Sequence, residues 1–248
     1  MIILKSKQEI EKIREAGKIV AEVLQHLQQI TKPGITTKYL EEVAHNMIIK
    51  HKAKPSFLGY KKFPASICTS INYEVVHGIP STQRVLKEGD ILKIDLGVLL
   101  DNYHADAALT IPMGQISKQV EKLVNVTKDA LEIGISKAKV SNRLFDISHA
   151  IQFHAQCYGY SVTRDYTGHG IGRNLHEEPQ VPNFGERGKG PRLKPGMVLC
   201  IEPMINMGHY EIDILNNGWT VINKDRSFSA HFEHTIVVTN DEPEILTR

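Results

Sequence analysis

Apolar residues recur along the chain with two different spacings, and the spacing changes where the elements change. Ile10, Ile13, Val20, Val23, Leu24, Leu27 and Ile30 share one face of a helical repeat, so a helix is predicted from about residue 7 to the Lys32-Pro33-Gly34 break. Ser6 followed by Glu9 is the capping-box pattern that opens it. A second helix is predicted after Thr36 and Thr37, with Leu40, Val43, Ala44, Met47 and Ile48 on its stripe. Strand-like runs follow at 66–71, 74–79, 91–100 and 103–111. Asp101-Asn102 reads as the two-residue turn of a hairpin between the last two. That turn pairs residue 95 with 108 and 97 with 106, which places Asp95 and Asp106 on one face. Helical spacing returns at about 117–138 and 142–156, the latter capped by Ser141, and strand-like segments return at about 196–206, 219–223 and 230–239. The Gly/Pro-rich stretch 182–196 between them reads as loop.

The second set of elements repeats the first. Residues 86–95 (LKEGDILKID) align with 193–202 (LKPGMVLCIE) at an offset of 107, which places Asp95 on Glu202. His77-Gly78-Ile79 resembles His169-Gly170-Ile171, and His104-Ala105-Asp106 resembles His231-Phe232-Glu233. Leu40, Val43, His45 and Met47 fall on Leu144, Ile147, His149 and Ile151. The shared order points to an internal duplication. We therefore expect an α/β (α+β) chain forming a single catalytic domain, 1–248, with two related halves at about 1–112 and 117–248. Residues 112–117 are at most a connector.

Composition narrows the class without naming a function. Of 248 residues, 41% are apolar and 23% charged, ordinary for a globular chain. Thirty Lys and Arg against 28 Asp and Glu leave a net charge of +2, too small to predict nucleic-acid or membrane binding. The apolar start is three residues long, too short for a signal peptide, and no run reaches membrane-spanning length. Cys68, Cys157 and Cys200 are odd in number and lack CxxC spacing, which favours a reducing, cytoplasmic setting over a disulfide scaffold or zinc finger.

The duplication brings four acids to matching positions: Asp95, Asp106, Glu202 and Glu233. Ile94, Leu96, Val98, Ala107, Ala108 and Leu109 surround the first two, so their face is not obviously solvent. Carboxylates converging in an apolar interior repel unless protonated or neutralised. Two divalent cations are a natural neutraliser, and paired metals bridged by carboxylates form hydrolytic sites. His169, ringed by glycines in Thr167-Gly168-His169-Gly170, leaves room for a metal or substrate, and His77 holds the repeat-equivalent place. One imidazole with four carboxylates suits Mn²⁺, Fe²⁺ or Co²⁺ at least as well as Zn²⁺. His104, His231 and His234 flank the acids as candidate hydrogen-bond partners of the ligands.

At these residues the chain resembles the bacterial type I methionine aminopeptidases. The motifs are Val76-His77-Gly78-Ile79-Pro80, Ile94-Asp95, His104-Ala105-Asp106, Gly168-His169-Gly170-Ile171-Gly172, His176-Glu177-Glu178-Pro179, Ile201-Glu202-Pro203-Met204 and Phe232-Glu233-His234-Thr235. Their order and spacing match nearly end to end. The resemblance implies the pita-bread fold, a curved and mainly antiparallel sheet backed by helices. It implies two metals: Asp95 on one, Asp106 and Glu233 bridging, His169 and Glu202 completing the other. His77 and His176 are implied substrate contacts, with His176 at the scissile carbonyl. Tyr60, Phe63, Cys68 and Trp219 match the methionine pocket.

The implied activity is removal of the N-terminal methionine from nascent proteins, with a small second residue preferred. A hydroxide bridging the metals would attack the first peptide bond, and Glu202 would shuttle a proton to the leaving amine. Implied partners are methionyl peptides and nascent polypeptides, with the ribosome a further candidate and no membrane or direct nucleic-acid contact. A monomer is expected. Related proline dipeptidases and X-Pro aminopeptidases usually carry an N-terminal domain, for which the first helix leaves no room here. A non-catalytic relative would lack ligands, and all five are present. Four positions depart from the family pattern: Lys93, two before Asp95, where Asn or Ser is commoner; Ala105 and Ala107 around Asp106; and Tyr73 after Asn72. On its strand face, Lys93 is expected to pair with a site carboxylate or shift metal affinity.

Overall fold

The computed structural model describes residues 1–248. Helix α1 (Lys7–Ile30) opens with the expected box, in which the Ser6 hydroxyl accepts from the Glu9 amide and the Glu9 carboxylate accepts from the Ser6 amide. Helix α2 (Thr37–Lys50) is capped by Thr36. Strand β1 (Lys54–Pro55), a short turn of helix at Tyr60–Lys62, β2 (Cys68–Ile71) and β3 (Glu74–Val76) lead to the long hairpin β4 (Ile91–Leu100) and β5 (Tyr103–Pro112). Its register is the expected one, with Asp95 opposite Ala108 and Gly97 opposite Asp106.

Helices α3 (Lys118–Ser136) and α4 (Leu144–Cys157) follow. The cap of α4 is Arg143 rather than Ser141: the Asp146 carboxylate reaches back 2.8 Å to the Arg143 amide, so the helix starts two residues late. Then come β6 (Ser161–Val162), β7 (Gly168–Gly170), β8 (Glu177–Val181), β9 (Val198–Ile201), β10 (Met204–Asn206), β11 (Ile212–Ile214), β12 (Val221–Asn223), β13 (Ser229–His231), β14 (Glu233–Val237) and β15 (Glu244–Ile245). Two predicted strands are each divided. The run 196–206 breaks at Glu202-Pro203, where proline has no amide to give a ladder, and 230–239 breaks at Phe232. At both breaks the chain passes between a large sheet and a small one.

The large sheet runs β1-β4-β5-β14-β9-β7-β8, with β2 also on β4 and β15 also on β14. Every pairing in it is antiparallel. Two three-stranded sheets, β13-β10-β6 and β11-β12-β3, stand beside it. The pita-bread architecture and its α/β class are as expected. Helices α1 and α2 cover β4 and β5 through one apolar core, and α3 and α4 cover the β9 and β14 side through a second. Ala105 and Ala107 belong to the first core, on the face of β5 opposite Asp106. Their small side chains let α1 lie close on the sheet, so these two departures from the family pattern face a helix, not the acids. No helix is long and apolar enough to cross a membrane.

Candidate metal centre and active-site cavity

The order of strands in the large sheet sets the acids side by side. Asp95 on β4 pairs with Ala108 on β5, and Ala108 pairs with Glu233 on β14. Asp106 is two residues from Ala108 and shares its face. On β14, Thr235 pairs with Cys200 of β9, which pairs with His169 of β7. Glu202 lies two residues beyond Cys200, just past the end of β9. Four neighbouring strands and the residue just beyond a fifth thus supply the five expected ligands to one surface. Thr235 fixes Asp106 from behind: its hydroxyl donates to the Asp106 carbonyl at 2.7 Å and accepts from the Asp106 amide at 3.0 Å.

That surface is the floor of a cavity of about 270 Å³. Asp106, His169 and Glu233 are 4%, 6% and 2% exposed. Asp95 Oδ1, Asp106 Oδ1 and Glu233 Oε1 are buried without any hydrogen-bond partner. Burial and the neighbouring carboxylates push Asp95, Glu202 and Glu233 well above the usual carboxylate range, and burial raises Asp106 to about 7. His169 Nδ1 lies 2.8 Å from the Gly170 carbonyl, which only accepts, so Nδ1 carries the proton and Nε2 presents its lone pair to the site. Nε2 is 3.7 Å from Glu202 Oε1. Burial, with His176 second, lowers His169 to about 3, so the pair is neutral imidazole beside an acid rather than an ion pair.

Orphaned hard oxygens beside a free imidazole nitrogen are the donor set a divalent cation completes, and the residues fit that group. Ligand atoms of Asp106, His169, Cys200 and Glu233 lie within 4.8 Å of one another. The Cys200 thiol is a poor fourth donor, because burial and the adjacent acids push it well above its ordinary value and keep it protonated. Its nearness has a sequence signal that went unread: on an extended strand, residue 200 shares a face with 202.

Every residue expected in substrate contact lines the same cavity: His77, His176, Tyr60, Phe63, Cys68 and Trp219. His176 Nδ1 is 2.8 Å from the Tyr60 hydroxyl, their rings stack at 5.1 Å, and the His176 ring is 4.2 Å from that of His169. Phe63 and Trp219 meet edge to face at 5.1 Å. Burial lowers both His77 and His176 to about 4, so both are neutral at pH 7. Phe57, Lys61, Val76, Asp165, Tyr166, Leu175 and Met204 also line the cavity and were not anticipated. Val76 and Met204 stand inside matched motifs and Leu175 adjoins one; Phe57 and Lys61 come from a turn that no pattern marks.

Three expectations need correction. Lys93 is 1% exposed, but its ammonium donates 2.7 Å to the Asn72 carbonyl and pairs with no site carboxylate. It ties β4 to the β2–β3 turn, whose Asn72 carbonyl also accepts from Ser229. Gly168 and Gly170 do not open space for a ligand. A Cβ on either would lie 2.3 Å from a backbone oxygen, Cys200 O or Glu178 O, so these glycines admit the neighbouring strands. His77 is not the counterpart of His169. His169 sits opposite Cys200, and the residue opposite the equivalent Lys93 is Ser70. Of the flanking histidines, His104 meets Ser56 and His234 meets Thr247 at 2.8 and 2.9 Å. His231 has no partner on either ring nitrogen and stands 3.7 Å from Glu202.

Comparison with known proteins finds relatives over the whole length of the chain. Residues 11–240 match Metallopeptidase family M24. A methionine aminopeptidase of Clostridium acetobutylicum is 53% identical over 247 residues, covering 100% of this chain and 99% of that one. Methionine aminopeptidase 1 of Bacillus subtilis is 51% identical over 248 residues, with both chains fully covered. The crystal structure of methionine aminopeptidase from Rickettsia prowazekii superposes with a TM-score of 0.98 at 45% identity, again over the whole of both chains.

Proposed function

The chain belongs to metallopeptidase family M24, and from that premise we propose that it is a methionyl aminopeptidase, a hydrolase that removes the N-terminal methionine from polypeptides. The observation that carries the proposal is the set of three buried, unpartnered carboxylate oxygens sharing a cavity floor with His169. We assign Asp95, Asp106, His169, Glu202 and Glu233 to two divalent cations, Mn²⁺, Fe²⁺, Co²⁺ or Zn²⁺. When bound, such cations polarise a carbonyl and lower the pKa of water towards about 7.

The remaining chemistry belongs to side chains. Glu202, in the cavity lining beside His169, is placed to take a proton from the attacking water and give it to the leaving amine. The Tyr60 hydroxyl lies 2.8 Å from His176 Nδ1; with the hydroxyl as donor, the neutral ring carries its proton on Nε2, where it can bond the scissile carbonyl and the oxyanion it becomes. His77, neutral at pH 7, hydrogen-bonds the scissile amide. Phe63, Trp219, Tyr60 and Cys68 enclose the methionine thioether, which packs well beside aromatic rings. The second residue is held small by exclusion, since methylene-sized attraction alone is worth about 1–3 kcal/mol.

The same reading makes the chain one catalytic domain of two related halves, acting as a cytoplasmic monomer on nascent polypeptides, with the ribosome as a further partner. The test is hydrolysis of Met-Ala-Ser, Met-Pro and Leu-Ala-Ser by metal-stripped protein titrated with each cation. Metal-dependent release from the first alone is expected. Cleavage of Met-Pro alone moves the assignment to the proline-specific relatives, and no release with any metal refutes it. Asp106→Ala should lose metal and turnover together.

A further inference from the structure

The cavity has five acids in its lining but a single ammonium, that of Lys61. Its backbone is fixed. The Phe57–Phe63 turn is closed by Tyr60 N to Phe57 O at 2.9 Å, Lys62 N to Gly59 O at 3.1 Å, Phe63 N to Tyr60 O at 2.8 Å and Gly59 N to Phe63 O at 2.9 Å. Lys61 itself is held at a φ of 47°, a left-handed conformation that costs a long side chain energy and persists only where its surroundings enforce it. The side chain is exposed, makes no ion pair, and places Nζ 5.5 Å from the Tyr60 ring centre. Its charge is felt inside the cavity, where it helps lower both His77 and His176. Neighbouring Lys62 is equally exposed but does not line the cavity.

Lys61 therefore stands on the open side of the Tyr60–His176 pair. With the amino end of a peptide on the acid floor and its first carbonyl at His176, residues after the scissile bond leave past this ammonium. We propose that Lys61 is a specificity-determining residue that favours substrates carrying a carboxylate just downstream of the scissile bond, first of all an acidic third residue. The proposal rests on the aminopeptidase reading of the same cavity. Asp165 is the competing charge in the lining, and it would favour basic residues instead. An exposed pair of this kind is worth a few-fold at most, and salt weakens it.

The experiment compares kcat and KM for C-terminally amidated Met-Ala-Glu-Ala, Met-Ala-Gln-Ala and Met-Ala-Lys-Ala, using metal-loaded wild type, Lys61→Gln, Lys61→Glu and Lys62→Gln. Wild type is expected to prefer Glu over Gln by about threefold, mainly through KM, with the preference shrinking as salt rises. Lys61→Gln should abolish that preference, Lys61→Glu should invert it towards the Lys peptide, and Lys62→Gln should keep it. Met-Ala-Ser as free acid and as amide separates a terminal carboxylate from a side-chain one. If only the free acid gains from Lys61, the acidic-side-chain proposal fails. A Glu preference that survives Lys61→Gln, or that Lys62→Gln removes equally, overturns it. If wild type leaves the Gln peptide intact, the aminopeptidase reading falls and the Lys61 proposal falls with it.

Discussion

Metal binding to this site should release protons, because the cavity floor is built from acids that burial keeps protonated. Asp106 carries a value of about 7 in the metal-free fold, and a carboxylate ligand must be ionised to bind. At pH 6 Asp106 holds about nine-tenths of a proton and at pH 8 about one-tenth, so its ionised fraction rises about tenfold between them. Metal affinity should rise by about the same factor from this residue alone. Burial and the neighbouring carboxylates raise Asp95, Glu202 and Glu233 as well, and each adds to the dependence. His169 adds nothing, since at about 3 it is already neutral throughout the window. Titration calorimetry of the stripped protein with Mn²⁺, repeated in buffers of different ionisation enthalpy, reads the protons directly. More than one proton per chain is expected at pH 6, falling as pH rises. Zero release at pH 6, or an affinity flat between pH 6 and 8, would refute the premise that these carboxyls share uncompensated burial.

The same shifts predict how stability responds. The raised Asp106 carboxyl stabilises the metal-free fold below its unfolded value near 4, and that stability is lost as pH rises through about 7; Asp95, Glu202 and Glu233 are shifted in the same direction. His77, His169, His176, His231 and His234 are depressed to about 3–4, so their contribution is full above 6.5 and lost as pH falls towards 4. The stripped protein should therefore melt highest near neutrality, and metal should remove the alkaline decline; a melting temperature that still climbs from pH 7 to 9 without metal contradicts this. Tyr60→Phe removes the hydroxyl that meets His176 Nδ1 and should lower kcat about fivefold, equivalent to a hydrogen bond of about 1 kcal/mol, with a much smaller change in KM. Lys93→Met replaces a buried ammonium with an apolar chain of similar length and should leave the melting temperature unchanged or higher. It should retain full metal stoichiometry, and loss of metal would place Lys93 among the carboxylates after all.

What the sequence made legible was whatever depends on local periodicity. The Ser6–Glu9 box, the Asp101-Asn102 turn and the 95–108 register follow from spacing alone, and the structure bears each of them out. What stayed hidden depends on contacts between distant segments. The lysine at 93 shares a strand with Asp95, but its four-carbon stem carries the charge to a turn that sequence spacing does not locate. Lys61 belongs to a seven-residue turn held by its own backbone bonds, with no periodic signal to mark it. Arg143 displaces Ser141 as the α4 cap because Asp146 supplies the reaching side chain.

The most instructive error concerns the repeat itself, where the HGI match equated His77 with His169. Sheet register gives a different equivalence. Lys93 and Cys200 occupy matching places in β4 and β9, and their partners are Ser70 on β2 and His169 on β7. Seven residues beyond Ser70 is His77, and seven beyond His169 is His176. The two histidines assigned to substrate are then the true counterparts, one from each half, and the histidine assigned to metal has a serine opposite it. If the chain is built of two related halves, as we propose, the proposed ligand set is asymmetric between them. Each half has an acid on or just past its central strand and a histidine at the cavity wall, but only the second has an imidazole on the neighbouring strand. The Gly-flanked HGI match misleads because close strand packing selects small residues around both histidines, whatever each histidine does: a Cβ on Gly78 would meet Thr69 O at 2.1 Å, as one on Gly170 would meet Glu178 O at 2.3 Å.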